Sequence, residues 1–196
     1  MYASEPPTGE PLPLDLVNTR PLHGGRRVDL LDSASRLAAW LALEADRLDG
    51  ETAGAAPEEA DLAPVHAVRE HTEAALRALL AGQRPPESAL RALADAQRAA
   101  PAVREPVWDG TSVSAPPRRT GPLGVRLAAL LAESAVALLA GPAVSRVRQC
   151  EADDCVLLFL PAHPRRRWCS PTRCGNRTRV ARHYRRRREG GAAEGA

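Results

Sequence analysis

The sequence predicts a mainly α-helical protein in two parts. A helical domain spans residues 12 to 143 and carries one short β-hairpin, and a small ββα module closed by four cysteines spans 144 to 188, with flexible tails at 1 to 11 and 189 to 196. Three observations lead there. Apolar residues recur at helical spacing in four stretches of the first 143 residues. All four cysteines of the 196-residue chain fall between positions 150 and 174. The charge is divided as well: residues 1 to 143 carry 14 arginines against 19 acids, whereas 144 to 188 carry 13 against three. A chain of this length holds one domain with its own core and a small appendage.

In chain order, residues 1 to 11 are polar and Pro-rich. Leu12 to Arg20 is a half-apolar segment, a strand or the first turns of a helix. Asp32 or Ser33 caps a helix reaching about Leu48, with Leu37, Trp40, Leu41 and Leu48 on one side. After a linker over Gly50 to Ala60, a second helix runs from a cap at Asp61 to Ala81. Pro64 fits its first turn, and Val65, Val68, Ala75, Leu76, Leu79 and Leu80 are mostly on one face. Gly82 and Pro85-Pro86 end it, and Pro86 leads into a third helix, Glu87 to Ala99. Asp109-Gly110 marks a tight turn in a short hairpin between Val103 and Ser114. A fourth helix covers Gly124 to Leu139 and stops at Gly141-Pro142.

Composition narrows the function classes. No stretch reaches the roughly 18 uninterrupted apolar residues of a membrane helix; Leu127 to Ala140 is broken by Glu133 and Ser134. The first residues have neither a basic start nor an apolar centre, so no secretory signal is read there. The expected compartment is the cytoplasm, and no membrane partner is expected. All 27 basic residues are arginine, which with abundant Ala and Pro reflects a GC-rich coding bias and is not itself a sign of phosphate recognition. The concentration of positive charge at one end does point to a polyanion partner. No enzyme signature occurs in the first 143 residues: His66 and His71 are five apart, Asp15 and Asn18 read as a turn or cap, and neither a phosphate loop nor a nucleophile elbow is present.

The cysteines are spaced Cys150-x4-Cys155 and Cys169-x4-Cys174, separated by thirteen residues. In a reducing compartment such a cluster favours a metal over disulfides. Two close pairs joined by a medium loop close a tetrahedral zinc site, and four thiolates leave no open position, so one zinc would be structural. The segments Val156 to Leu160 and Arg165 to Ser170 read as a hairpin turning at Pro161 to Pro164. Gly175 suits a tight ligand turn, and Asn176 caps a helix from Arg177 to Arg188. On that helix Val180 and Tyr184 are expected to pack on Phe159 or Trp168. Arg179, Arg182, Arg185 and Arg186, with Arg165, Arg166 and Arg167 on the hairpin, are the candidate nucleic-acid contacts.

At Cys169-Ser170 and Cys174-Gly175-Asn176-Arg177, preceded by Arg167-Trp168, the chain resembles the CGNR zinc finger family of bacterial proteins, named for this Cys-Gly-Asn-Arg motif. Upstream, Leu14-Asp15-Leu16-Val17-Asn18-Thr19 and the Leu37 to Leu41 segment with Trp40 look like the ABATE domain that usually precedes this finger. The resemblance covers nearly the whole chain. It implies a stress-induced transcription regulator, with Cys150, Cys155, Cys169 and Cys174 as zinc ligands and the finger as the DNA-binding part. Relatives often have an Asp and a small polar turn before the basic strand, where this chain has Leu160-Pro161-Ala162-His163-Pro164. They often carry Lys where this chain has Arg179.

The expected function is thus a non-enzymatic regulator that binds DNA through its finger, with the helical domain sensing a ligand of unknown identity or dimerising. A single finger covers little surface, so a homodimer is expected. The rivals are an RNA-binding module and a zinc-stabilised protein-interaction module or redox switch. An Arg177 role inside the motif rather than on DNA is also expected.

Overall fold

The computed structural model describes residues 6–48, 50 and 56–180, apart from the side chain of Arg173. The half-apolar segment near the start is a short helix, α1 (Leu12–Val17), all six residues of which are buried. A small hairpin follows, with β1 (Leu22–His23) paired to β2 (Arg26–Arg27). Gly24 and Gly25 turn it, both with positive φ as a two-residue hairpin turn requires. This Gly-Gly signal was legible in the sequence and is absent from the elements expected above.

The helix expected to reach Leu48 divides into α2 (Ala34–Leu43) and a 3-10 turn at Ala45–Arg47. The Ser33 hydroxyl accepts from the Arg36 N–H, as a capping residue does. Helix α3 is Leu62–Leu80 and α4 is Glu87–Ala99. Asp61 was expected to cap α3, but its carboxylate is used elsewhere. Oδ2 accepts from the Glu58 N–H at 2.9 Å, and Oδ1 accepts from the Gly124 N–H at 2.7 Å, at the start of α5 (Leu123–Ala140). Gly124 is required by this contact, since a Cβ there would lie 2.6 Å from Asp61 Cα.

The hairpin before α5 is longer than expected. Its pairs are β3 (Val103–Arg104) with β6 (Pro117–Arg118) and β4 (Val107–Trp108) with β5 (Val113–Ser114), in one continuous register. At its tip the Asp109 carboxylate accepts from the N–H groups and hydroxyls of Thr111 and Ser112. Those backbone N–H groups hold it below the usual carboxylate range.

The main core joins Leu16, Leu31, Leu37, Trp40, Leu48, Val65, Leu93, Leu127 and Leu131, with α5 packed on α3 and α4. Helix α5 is long and apolar enough to cross a membrane by length and composition, despite Glu133 and Ser134. Its residues Leu127, Ala129, Leu131, Ala132 and Ala135 are fully enclosed by the other helices, which is the position of a core helix. Segment 19–31 is fastened to α3 by Arg69, itself buried, which donates to Thr19 Oγ1 at 3.0 Å and forms a two-pronged ion pair with Asp29. Burial works to raise the Asp29 carboxyl, but the Arg69 guanidinium and the Leu31 N–H together outweigh it and hold the group below its usual range.

A second core contains Leu14 and Val17 of α1, Leu76 of α3, Leu138 of α5, and Val147 and Leu158 from the cysteine-bearing region. Through Val147 and Leu158 the cysteine-bearing region is therefore packed against the helices.

Candidate metal centre and the surface around it

Strands β7 (Arg148–Gln149) and β8 (Leu158–Phe159) pair in antiparallel register and bracket the first cysteine pair. Between them Cys150 N–H donates to the Leu157 carbonyl at 2.9 Å and Cys155 N–H to the Ala152 carbonyl at 3.0 Å, closing a knuckle. The second pair lies on Trp168–Ser170 and a π-type turn, Pro171–Gly175. Gly175 N–H donates to the Ser170 carbonyl, an i to i+5 bond that begins the helical path before Asn176. Asn176 accordingly sits inside a helical segment, 176–180, rather than capping it. Gly175 has ordinary φ, and a Cβ there would meet Trp168 and Arg179 at 3.5 and 3.6 Å, so tight turn geometry does not demand glycine.

The four sulfurs lie within 4.8 Å of one another, three of the residues buried and Cys169 half-buried. Cys155 Sγ is 3.8 Å from Cys169 Sγ, which is 3.5 Å from Cys174 Sγ. A tetrahedral ion with bonds of about 2.3 Å sets its sulfurs about 3.8 Å apart, whereas a disulfide needs about 2.05 Å. All four cysteines are unbridged. The directions split within the cluster: Cys150 chiefly, with Cys174 and burial, pushes the Cys155 thiol up and all three neighbours push Cys169 up, whereas hydrogen bonds from their neighbours lower Cys150 and Cys174, so four crowded thiols do not all ionise without a counter-charge. A dication at their centre reverses that logic. The donor set fits one structural zinc, with Ala152, Leu157 and Phe159 packed around it and Trp168 on its flank.

The expected second strand at 165–170 is not a strand. Its backbone is committed to the ligand loops: the Arg167 carbonyl accepts from Glu151 N–H, and Arg166 N–H donates to the His163 carbonyl. The hairpin partner of β8 is instead β7, upstream of Cys150.

Arg166 is half-buried; it stacks 4.6 Å over the Phe159 ring and donates to the Cys169 carbonyl and to Glu10 Oε1, both at 2.5 Å. Arg165 and Arg167 are exposed, the latter paired with Glu151. Arg177 forms an ion pair with Asp154 at 2.6 Å and reaches Cys174 Sγ at 3.6 Å, placing it inside the motif. Arg179 is exposed and donates from Nε to the Gly175 carbonyl. Val180 was expected to pack inward, but it is 54% exposed. Tyr184, Arg182, Arg185 and Arg186 lie outside the described residues.

Three residues that connect this centre to the helices were not singled out for that role. The Asn18 amide donates to the Leu158 carbonyl and accepts from the Leu158 N–H, both at 2.8 Å. Because Cys150 and Leu157 bond each other, Leu158 occupies a non-bonded position of the β7–β8 ladder, and its N–H and C=O face outward. The Asn18 side chain completes that strand edge as a neighbouring strand would. Glu10 accepts from Leu160 N–H at 2.8 Å as well as from Arg166. Arg77 of α3 donates to Gln149 Oε1 at 2.6 Å and to the Val156 carbonyl at 2.7 Å.

Glu10 is held in turn by Asp15, whose carboxylate accepts from the N–H groups of Gly9 and Glu10 and from Arg47 Nη1. Asp15 is fully buried, and that burial pushes its carboxyl up to about 7 against the pull of Arg47. Glu44 beside Arg47 is buried and raised too.

Among curated proteins, none matches the sequence. Two family models do. Residues 146–187 match the CGNR zinc finger, and residues 10–142 match ABATE, described as "putative stress-induced transcription regulator". Both agree in order and position with the helical core and the four-sulfur centre, neither is an enzyme family, and the chain belongs to the ABATE family, with a CGNR zinc finger following that domain.

Proposed function

We propose that this chain is a transcription regulator that binds duplex DNA through its basic finger (residues 144 to 188), while the helical domain (12 to 143) senses a signal or pairs two copies. The observation that carries it is the clustering of charge around a closed, non-catalytic metal centre: 13 arginines against three acids in 45 residues. Cys150, Cys155, Cys169 and Cys174 hold the zinc, whose role is to fold the module.

Arg165, Arg167 and Arg179 contact phosphates, together with Arg182, Arg185 and Arg186 further along. The Arg167 pair with Glu151 is a surface pair, half-exposed on both sides, and such pairs contribute at most about 1 kcal/mol, so a phosphate exchanges for it readily. Arg166 and Arg177 hold the ligand loops. One finger covers about 600 to 1,000 Å² on DNA, so the regulator acts as a homodimer, which light scattering on the zinc-loaded chain checks.

The test is duplex binding by zinc-quantified protein across a salt series. With roughly six phosphate contacts, log affinity falls against log salt with a slope of about −5. Arg167→Glu with Arg179→Glu lowers that slope by about 2, and Cys169→Ser with Cys174→Ser abolishes both zinc and binding. Zinc-loaded protein that ignores duplex DNA at about 50 mM salt refutes the proposal and moves RNA or a protein partner to the front.

A further inference from the structure

At the foot of the long hairpin, away from the four sulfurs, lies a cavity of about 360 Å³. One wall is a single face of α5, including Leu130, Glu133 and Ala137; Arg104 and Arg119 come from the hairpin's base and Arg47 from the 3-10 turn after α2. Three guanidiniums and one carboxylate therefore line it.

Two of the arginines are fixed in place. Arg119 is 5% exposed, donates to the Ala100 carbonyl at 2.6 Å and pairs with Glu133. Arg47 Nη1 is engaged by Asp15 at 2.9 Å and Glu44 at 3.2 Å, both buried and neither in the cavity lining. Arg47 Nη2, however, is buried with no hydrogen-bond partner, a donor that an incoming oxygen satisfies once the side chain, 34% exposed, turns toward the cavity. Arg104 is exposed and donates from Nη1 to the Ala115 carbonyl.

We propose that this cavity binds a small organic anion, its oxygens on the Arg47 and Arg104 guanidiniums and its apolar body on Leu130 and Ala137. The volume is at the lower end of the range for small-ligand pockets, about 300 to 1,000 Å³. A planar guanidinium fork grips a carboxylate or a phosphate ester in the same way. The site gives a chemistry to the sensing half of the function proposed above, on which it rests only for what the ligand does, not for whether it binds. From Arg47 the contacts continue through Asp15 to the Gly9 and Glu10 backbone, and from the Glu10 side chain to Leu160 and Arg166 of the finger.

The experiment is calorimetric titration of the full, zinc-loaded chain with benzoate, with phenyl phosphate and with the neutral benzyl alcohol, in the absence of DNA. One saturable site per chain is expected for benzoate or phenyl phosphate, the tighter of the two identifying the carboxylate or phosphate class. Benzyl alcohol binds at least about tenfold more weakly, as does the preferred anion to Arg104→Ala, the loss of one charge-assisted contact. Ala137→Trp fills the cavity and removes binding. Arg104 is exposed, so its variant keeps zinc and helical content even if Ala137→Trp does not. No saturable binding of either anion, equal binding of benzyl alcohol, or an affinity unmoved in Arg104→Ala overturns the proposal. Duplex binding by the same preparation without probe is read separately, so either result stands without the other.

Discussion

Replacing Asn18 by Ala tests whether the finger is held by the helical domain. Asn18 and Leu158 are both buried, and the amide makes two 2.8 Å bonds to the Leu158 backbone. Alanine leaves an outward-facing N–H and C=O without partners, each costing about 1 to 3 kcal/mol if water does not reach it. The expected loss is therefore about 2 to 6 kcal/mol, large beside a typical domain stability of about 5 to 15 kcal/mol. Asn18→Asp keeps the acceptor for Leu158 N–H but sets a carboxylate oxygen against the Leu158 carbonyl, and should be at least as damaging. Urea unfolding of zinc-saturated protein gives the total, and hydrogen exchange at the Leu158 amide gives the local opening. A change below about 0.5 kcal/mol, with Leu158 still protected in Asn18→Ala, would refute the strand-edge role.

Asp15 sets a pH dependence. Its folded carboxyl titrates near 7 against 3.8 in the unfolded chain, so the folded state holds the proton more tightly. The stability this gives is fully present below about pH 4 and is lost as pH rises to about 7; Glu44 is raised as well and acts in the same direction. The stability of wild type relative to Asp15→Asn should fall by at most about 1.4 kcal/mol per pH unit across that window, read from urea midpoints; a pH-independent difference refutes it. Gly124→Ala sets a Cβ 2.6 Å from Asp61 Cα and 2.9 Å from its carbonyl oxygen, and overpacking of this kind costs about 1 to 3 kcal/mol. Unchanged thermal stability would contradict the close approach of α5 to Asp61. Zinc removal by a chelator should raise hydrogen exchange in α1 as well as in the finger, because Leu14 and Val17 share a core with Val147 and Leu158; protection of α1 untouched by chelation would show that the shared core is not coupled to the metal.

Much of this was legible in the sequence, for identifiable reasons. Helix α4 was found to the residue, because Pro86 and the apolar period leave no competing choice, and α3 and α5 to within a residue or two at each end. The zinc centre followed from cysteine spacing read with the expected reducing compartment, since ligand pairs are a local signal. Strand pairing was not local: Val156 to Leu160 was matched to the basic segment after it, but β8 pairs with β7 across the knuckle, because the Arg166 side chain and the 165–170 backbone are used to hold the ligand loops. Long-range roles of short polar residues were also invisible. Asp61 reads as a cap for α3 and caps α5, while Asn18 reads as a turn residue and finishes a strand 140 positions away. Nothing in the local pattern distinguishes a polar group that serves its own segment from one that serves a distant segment.

The outer edge of β8 is completed by the side chain of the residue that ends α1, Asn18, which bears on how such proteins can be rebuilt in descent or by gene fusion. Many small zinc modules are carried from one protein to another as interchangeable parts. This one, cut out at residue 144, would take with it an uncapped pair of backbone groups at Leu158 and the bare apolar flank of Val147 and Leu158. It would pass to a new host only with a helix bearing an amide at the position of Asn18, so the two halves of the chain are expected to be inherited together.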